Sequence, residues 1–219
     1  MKQEDTPRHR GMRRKLVEVI RSKGITDQEV LKALDNVPRH FFAFEDSVFI
    51  ERAYEDTAFP IGEGQTISQP FTVAYQTQLL EVKRGEKILE IGTGSGYQSA
   101  ILAEVGARVF TIERVKKLFV KTKQLFEDIG YKHIKCFYGD GFEGLPTFAP
   151  FDKILVTAGA PDVPQKLLDQ LRTGGALVIP IGVNDLQIMK RYSKISSLEI
   201  REEAFDTFRF VPMLPGKKS

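Results

Sequence analysis

The sequence predicts an α/β protein: a Rossmann-like, mostly parallel sheet with helices on both faces, a helical extension before it and an antiparallel strand pair after it. Three observations predict it. Short apolar runs alternate with amphipathic stretches between residues 87 and 181, at the spacing of βαβ units. A glycine-rich turn, Gly92-Thr93-Gly94-Ser95-Gly96, lies between the first of these strands and the helix that follows. Segments 186–192 and 198–204 alternate apolar and polar residues around a polar turn, as an antiparallel pair at a sheet edge does.

Taken in order, residues 8–22 interleave Leu16, Val17, Val19 and Ile20 with basic side chains at helical spacing, and Gly24 ends that helix. Residues 2–23 hold Lys2, Arg8, Arg10, Arg13, Arg14, Lys15, Arg21 and Lys23 against Glu4, Asp5 and Glu18, which leaves either a solvated basic face or a surface for RNA or an acidic partner. Thr26-Asp27-Gln28-Glu29 resembles a capping box with Thr26 as N-cap. The helix it opens runs through Val30, Leu31 and Leu34 and stops before Pro38. Phe41, Phe42, Phe44 and Phe49 are expected in the core. Strands follow at 87–91, 108–112, 134–138, 151–156 and 176–181, with helices at 97–105, 115–129 and 164–171, and Gly174-Gly175 after the last helix. The chain is thus expected to be one domain: residues 1–80 a helical cap with a substrate segment, 81–182 a ligand-binding core and 183–219 the antiparallel extension, with Lys217-Lys218-Ser219 fraying at the end.

Composition removes other classes. The 219 residues are 42% hydrophobic and 28% charged, enough apolar material for a real core and too little net charge (+3) to argue by itself for a nucleic-acid binder. The one cysteine, Cys136, excludes an internal disulfide and a cysteine-rich zinc site; mid-strand, it is expected to be a buried, inert thiol. His9, His40 and His133 are far apart in sequence and lack metal-ligand spacing, so no metal is expected; His40 is read as structural and His133 as exposed. No apolar run approaches the ~18–20 residues of a membrane span, and the charged start is unlike a secretory signal. A cytoplasmic protein with no membrane or nucleic-acid partner is expected.

The chemistry gathers at the turn. G-x-G-x-G after a strand and before a helix is a nucleotide-type loop, but Tyr97 stands where a dinucleotide fingerprint has its third glycine, and no Gly-Lys-Ser/Thr follows as in a P-loop. Glu90 precedes the turn and would repel a pyrophosphate but suit a cationic ligand such as the ammonium and sulfonium of S-adenosyl-L-methionine. Glu113, at the end of the next strand, has the offset of a ribose-binding carboxylate, and Asp140, at the end of the third, is placed to accept from an adenine amino group. The pattern resembles the class I S-adenosylmethionine-dependent methyltransferases.

A more specific segment lies upstream. Gly64-Gln65-Thr66-Ile67-Ser68-Gln69-Pro70, with Val37-Pro38-Arg39-His40-Phe41, the glycine turn, Gly139-Asp140-Gly141, residues 151–158, residues 167–175 and Phe210-Val211-Pro212, closely resembles the protein-L-isoaspartate (D-aspartate) O-methyltransferase family over nearly the whole chain. Gly159 and Met213 stand where that family usually has alanine and leucine.

The resemblance implies a repair enzyme that transfers a methyl group from S-adenosyl-L-methionine, leaving S-adenosyl-L-homocysteine, to the free α-carboxylate of L-isoaspartyl and D-aspartyl residues in damaged proteins and peptides. The ester then closes to a succinimide whose hydrolysis returns some normal aspartate. It further implies cofactor contacts at Gln65, Thr66, Ile67, Ser68, Glu90, Gly92, Thr93, Gly94, Gly96, Glu113, Asp140 and Gly141, a peptide groove at Ile61, Gly62, Thr157 and Ala158, and a monomer. Ser68 is the expected catalytic residue, its hydroxyl orienting the acceptor carboxylate; the same serine could N-cap the helix that starts near Pro70. The acceptor is ionised at neutral pH with a pKa of ~4, so the reaction needs no general base.

Overall fold

The computed structural model describes residues 4–43, 47–183 and 186–219. Helices Pro7–Ser22 (α1) and Gln28–Asn36 (α2) come first, then a 3-10 turn at Arg39–Phe42 and helix Ser47–Arg52 (α3). A hairpin of Phe59–Gly62 (β1) and Gln65–Ile67 (β2) leads into helix Pro70–Leu80 (α4). The alternating part comprises strand Lys87–Ile91 (β3), helix Tyr97–Glu104 (α5), strand Arg108–Glu113 (β4), helix Lys116–Asp128 (α6), strands Lys135–Tyr138 (β5) and Phe151–Val156 (β6), helix Gln165–Asp169 (α7) and strand Leu171–Ile181 (β7). Strands Gln187–Lys194 (β8) and Ile200–Phe208 (β9) complete it.

The seven strands of the main sheet lie in the order β5-β4-β3-β6-β7-β8-β9. Pairing is parallel from β5 to β7 and antiparallel through β8 and β9. From β3 the chain builds outward to β4 and β5, then returns to β3's other side at β6. That reversal opens a crevice at the carboxyl ends of β3 and β6, where Ile91 and Val156 are paired.

Successive residues of these strands enter opposite cores, as pleating requires. Ile88, Val109, Leu155 and Val178 face the cap helices, α4 and α5. Leu89, Ile91, Phe110, Ile112, Ile154, Val156, Leu177 and Ile179 face the other layer, where Leu167 and Leu168 of α7 cover them. Each such burial is worth about 1.5–3 kcal/mol, so the two clusters dominate the energetics of the sheet.

Several expectations change. Asp27, not Thr26, caps α2: its Oδ1 accepts from Glu29 N at 2.9 Å and Val30 N at 3.2 Å, while the Thr26 N–H is taken by Gln78 Oε1 at 2.8 Å. α7 is shorter than 164–171, and β7 starts at Leu171, so Gly174-Gly175 lies within a strand. The two glycines form a bulge: the register jumps from Phe151↔Leu171 to Lys153↔Ala176, and a Cβ on Gly175 would lie 2.7 Å from the Asp152 carbonyl. Phe42 and Phe49 are buried, Phe41 is half-buried and Phe44 falls outside the described residues. Val19 is exposed, whereas Arg13 on the basic face is buried, bonded to both oxygens of Asp5.

Candidate functional site

The turn after β3 is shaped by what surrounds each glycine. Gly92, Gly94 and Gly96 have φ of +97°, +52° and +88°, a region that side chains disfavour. A Cβ on Gly92 would come within 2.7 Å of Thr157 Oγ1, and one on Gly96 within 2.6 Å of the Phe126 ring. Gly92 therefore lets the end of β6 cross closely, and Gly96 lets α6 pack on the turn. At Gly94 the nearest atom would be Ile61 Cδ1, 3.6 Å away, so its outer side is open. Thr157 braces the turn: its Oγ1 lies 2.9 and 2.8 Å from the carbonyls of Ile91 and Gly92.

In front of this turn is a cleft enclosing about 810 Å³, part of it open to solvent. Its walls include Gln65, Thr66, Ile67 and Ser68 from the hairpin side, Gly92, Thr93 and Gly94 from the turn, Glu113 and Arg114 from the end of β4, Gly141, Thr157 and Ala158, and Met213 and Leu214 from the C-terminal segment. Residues 140 apart in sequence and more thus meet at the sheet's carboxyl edge.

The three strand-end acids divide. Glu113 lines the cleft, and its carboxylate accepts from Gly94 N and Val115 N, each at 2.8 Å. Burial raises its pKa, opposed by those backbone donors. Asp140 is not among the cleft-lining residues: Oδ1 accepts from Phe142 N at 2.9 Å and Oδ2 from Gly216 N at 2.6 Å. Glu90 departs most from expectation. It is fully buried beneath the turn, bonded to the Ser99 hydroxyl, with Oε1 unpartnered. Burial pushes its carboxyl up to about 8, so it faces α5 as a largely neutral acid rather than the cleft as an anion. Gly96, Ile61 and Gly62 are likewise outside the cleft lining; Gly96 and Ile61 act behind it through packing.

Ser68 follows β2 at the cleft wall, and its hydroxyl has no hydrogen-bond partner among the described residues. It does not cap α4. Gln69 occupies the N-cap position, and the Phe71 N–H is satisfied by Asp56 Oδ1 at 2.8 Å. The Ser68 backbone is held from behind. Arg39, fully buried, donates to the carbonyls of Ser68 and Thr57 at 3.0 Å each and Ala53 at 2.6 Å. Its guanidinium also lies over the Phe49, Phe59 and Tyr97 rings. Sequence reasoning missed this role, because nothing local marks an arginine whose acceptors lie 14, 18 and 29 residues away.

The other polar residues are structural. The fold brings His9 and His40 together, their ring centroids 3.9 Å apart, with Asp5 beside them. Arg13 holds both Asp5 oxygens, and His40 Nδ1 is 2.7 Å from Tyr54 Oη. Burial and the neighbouring His9 push the His40 ring down to about 4, so this cluster pins the start of α1 to the Arg39–Phe42 turn. The half-buried Cys136 thiol is pushed up to about 12 by burial and stays protonated. The tail is ordered: Lys218 N donates to Arg114 O at 2.7 Å and Lys218 O accepts from Lys116 N at 2.9 Å.

Comparison with known proteins gives a consistent result. The profile of the family described as Protein-L-isoaspartate(D-aspartate) O-methyltransferase (PCMT) matches residues 11–218. A relative from Cytophaga hutchinsonii, named Protein-L-isoaspartate O-methyltransferase, is 56% identical over 211 residues, covering 96% of this chain and 94% of its own. A solved protein-L-isoaspartate O-methyltransferase superposes with a TM-score of 0.84 at 28% identity, over 94% of this chain and 67% of that one. A Plasmodium falciparum enzyme described by the same activity, solved in complex with S-adenosyl-L-homocysteine, gives 0.79 at 25% identity, over 92% of this chain and 98% of that one. With the glycine turn, Glu113 and Ser68 around one cleft and a match that runs through cap, core and C-terminal strands alike, the chain belongs to the protein-L-isoaspartate(D-aspartate) O-methyltransferase family.

Proposed function

We propose that the chain repairs aged proteins and peptides by methylating the free α-carboxylate of L-isoaspartyl, and D-aspartyl, residues, with S-adenosyl-L-methionine as donor. The observation that carries this reading is the presence in one cleft of the open glycine turn, the Glu113 carboxylate and the unpartnered Ser68 hydroxyl. The cleft fits the donor. Gly94 leaves room for close backbone approach, and Glu113 offers ribose hydroxyls an acceptor already oriented by two N–H groups. Bound there, the donor supplies an electrophilic methyl group.

Gly92, Thr93, Gly94 and Glu113 hold the nucleoside and amino-acid parts, Gly141 borders the base, and Gln65, Thr66 and Ile67 cover the ligand from the hairpin. Ser68 donates its O–H to the acceptor carboxylate and orients it for in-line attack. Thr157 and Ala158 wall the peptide groove, with Ile61 and Gly62 shaping it from behind. Glu90 and Asp140 act indirectly, by holding α5 and the C-terminal segment in place. No residue of this set serves as a general base, consistent with an acceptor that is already ionised. Positioning two reactants can supply up to ~7–11 kcal/mol. The reading includes a monomeric, cytoplasmic enzyme without nucleic-acid or membrane partner. No helix among the described residues is long and apolar enough to cross a membrane.

The test uses methyl-labelled donor with a matched peptide pair, isoaspartyl and aspartyl. Base-labile label on the isoaspartyl peptide alone is expected; label on neither, with donor binding intact, overturns the reading.

A further inference from the structure

The tip of the β1–β2 hairpin has an unusual backbone. Gly62, Glu63 and Gly64 have φ of +88°, +55° and +74°, three left-handed residues in a row. The outer two are glycines, which adopt this region freely, whereas the middle one is a glutamate, which does so at a cost. A strained residue at a ligand loop points to a function for its side chain.

That side chain bridges two separate elements. Glu63 Oε1 is 3.0 Å from Lys117 Nζ, in the first turn of α6, and Oε2 is 2.9 Å from Lys218 Nζ, in the C-terminal tail. Lys218 and Lys117 together hold the Glu63 carboxyl down to about 2, so the cluster stays charged throughout the working pH range. The tail side is firmly anchored. Besides the two Lys218 backbone bonds, Arg114 donates to the carbonyls of Gly216 at 3.1 Å and Pro215 at 3.3 Å, and Asp140 accepts from Gly216 N. The hairpin side carries Gln65, Thr66, Ile67 and Ser68, while Arg114 and Leu214 line the opposite wall.

We propose that Glu63 is a positioning residue for the donor: it clasps the hairpin to Lys117 and Lys218 across the rim of the cleft and sets how fast S-adenosyl-L-homocysteine leaves. This deepens the functional reading above and rests on it. Lys117 and Lys218 are 70% and 44% exposed, so the clasp is made of ion pairs that water and salt weaken. Such a clasp favours the closed hairpin yet opens readily, as a site that must release product on every cycle requires.

The test compares the full-length protein with Glu63→Gln by stopped-flow release of S-adenosyl-L-homocysteine at 50 and 500 mM salt. The expected result is a ~3–10-fold faster release for Glu63→Gln at low salt, an unchanged kcat or a raised one, and a raised KM for the donor. Release from the wild type is expected to quicken with salt, whereas release from the variant stays flat. Glu63→Gly, which removes both the backbone strain and the clasp, separates this role from a structural one: its Tm holds while product affinity falls. Combining Glu63→Gln with Lys117→Met is expected to add nothing further, because both changes remove the same ion pair. Equal, salt-independent release rates in wild type and Glu63→Gln overturn the clasp while leaving the methyltransferase reading standing. Failure of the wild type to bind S-adenosyl-L-homocysteine removes both.

Discussion

Arg39 Nη2 donates to the Ser68 carbonyl across 3.0 Å, tying a fully buried cation to the residue at the cleft wall. Burial lowers this guanidinium to about 10, still charged at neutral pH, and its three carbonyl acceptors come from both sides of the hairpin, Ala53 and Thr57 before it and Ser68 after it. Lysine offers a point charge instead of a planar fork and cannot reach all three. Arg39→Lys is therefore expected to destabilise the fold by about 2–5 kcal/mol, because buried carbonyls lose their donors. Denaturant melts measure that loss. Turnover at temperatures where the variant stays folded is expected to fall more than donor affinity, since the hydrogen bond acts on Ser68.

Ser68→Ala removes one hydroxyl that has no structural partner. A hydrogen bond to a charged group is worth about 1.5–3 kcal/mol, so kcat/KM for an isoaspartyl peptide is expected to fall roughly 10–150-fold. Calorimetry is expected to show the S-adenosyl-L-homocysteine Kd unchanged within about twofold. A large loss of binding with unchanged kcat would reassign Ser68 to the donor.

Glu113→Gln has the opposite signature. The amide retains one acceptor oxygen where two backbone N–H groups now bond separate oxygens, and it loses the charge. The KM for the donor is expected to rise about tenfold or more, with a smaller change in kcat. An unchanged KM would remove Glu113 from the ribose site.

Glu90 gives a pH dependence whose sign is set by burial. Its folded-state carboxyl titrates near 8 rather than at its ordinary 4.5, so the native state keeps a proton that the unfolded chain releases. Its contribution is fully present below about 4.5 and is lost as pH rises toward 8. Glu90→Gln, neutral throughout, is expected to gain Tm relative to wild type progressively between pH 5 and pH 8. A Tm difference that is flat over that range would show that Glu90 is already ionised in the fold.

How much of this was legible depends on distance along the chain. The β3 turn, Glu113 and the alternation from 87 to 181 follow from short-range rules, and the structure keeps them. Glu90 was placed correctly at its strand end but on the wrong side of the turn. In a strand, neighbours point to opposite faces, and which face holds the ligand depends on the helix packed above. Gly174-Gly175 falls inside β7 rather than ahead of a strand starting at 176, because two glycines serve connections and bulges alike and only pairing with β6 distinguishes them. Arg39, Asp56 and Lys218 act on residues brought near by the fold, so no local pattern marks them. Glu63 belongs with them: its left-handed backbone and its two lysine partners, 54 and 155 residues away, exist only in the fold.

Asp140 and Gly141 form an aspartyl-glycyl pair at the edge of the cleft. In such a pair the glycine nitrogen can attack the aspartate carboxyl carbon, which is the route by which isoaspartate arises. Here Phe142 N and Gly216 N each bond one carboxylate oxygen, so the side chain is fastened at both oxygens and restrained from swinging onto the Gly141 nitrogen. The tail that borders the cleft is thereby fastened to the side chain that would have to move for the bond beside it to age. Without that restraint, damage at Asp140 would turn an old copy of this enzyme into a substrate for a younger one.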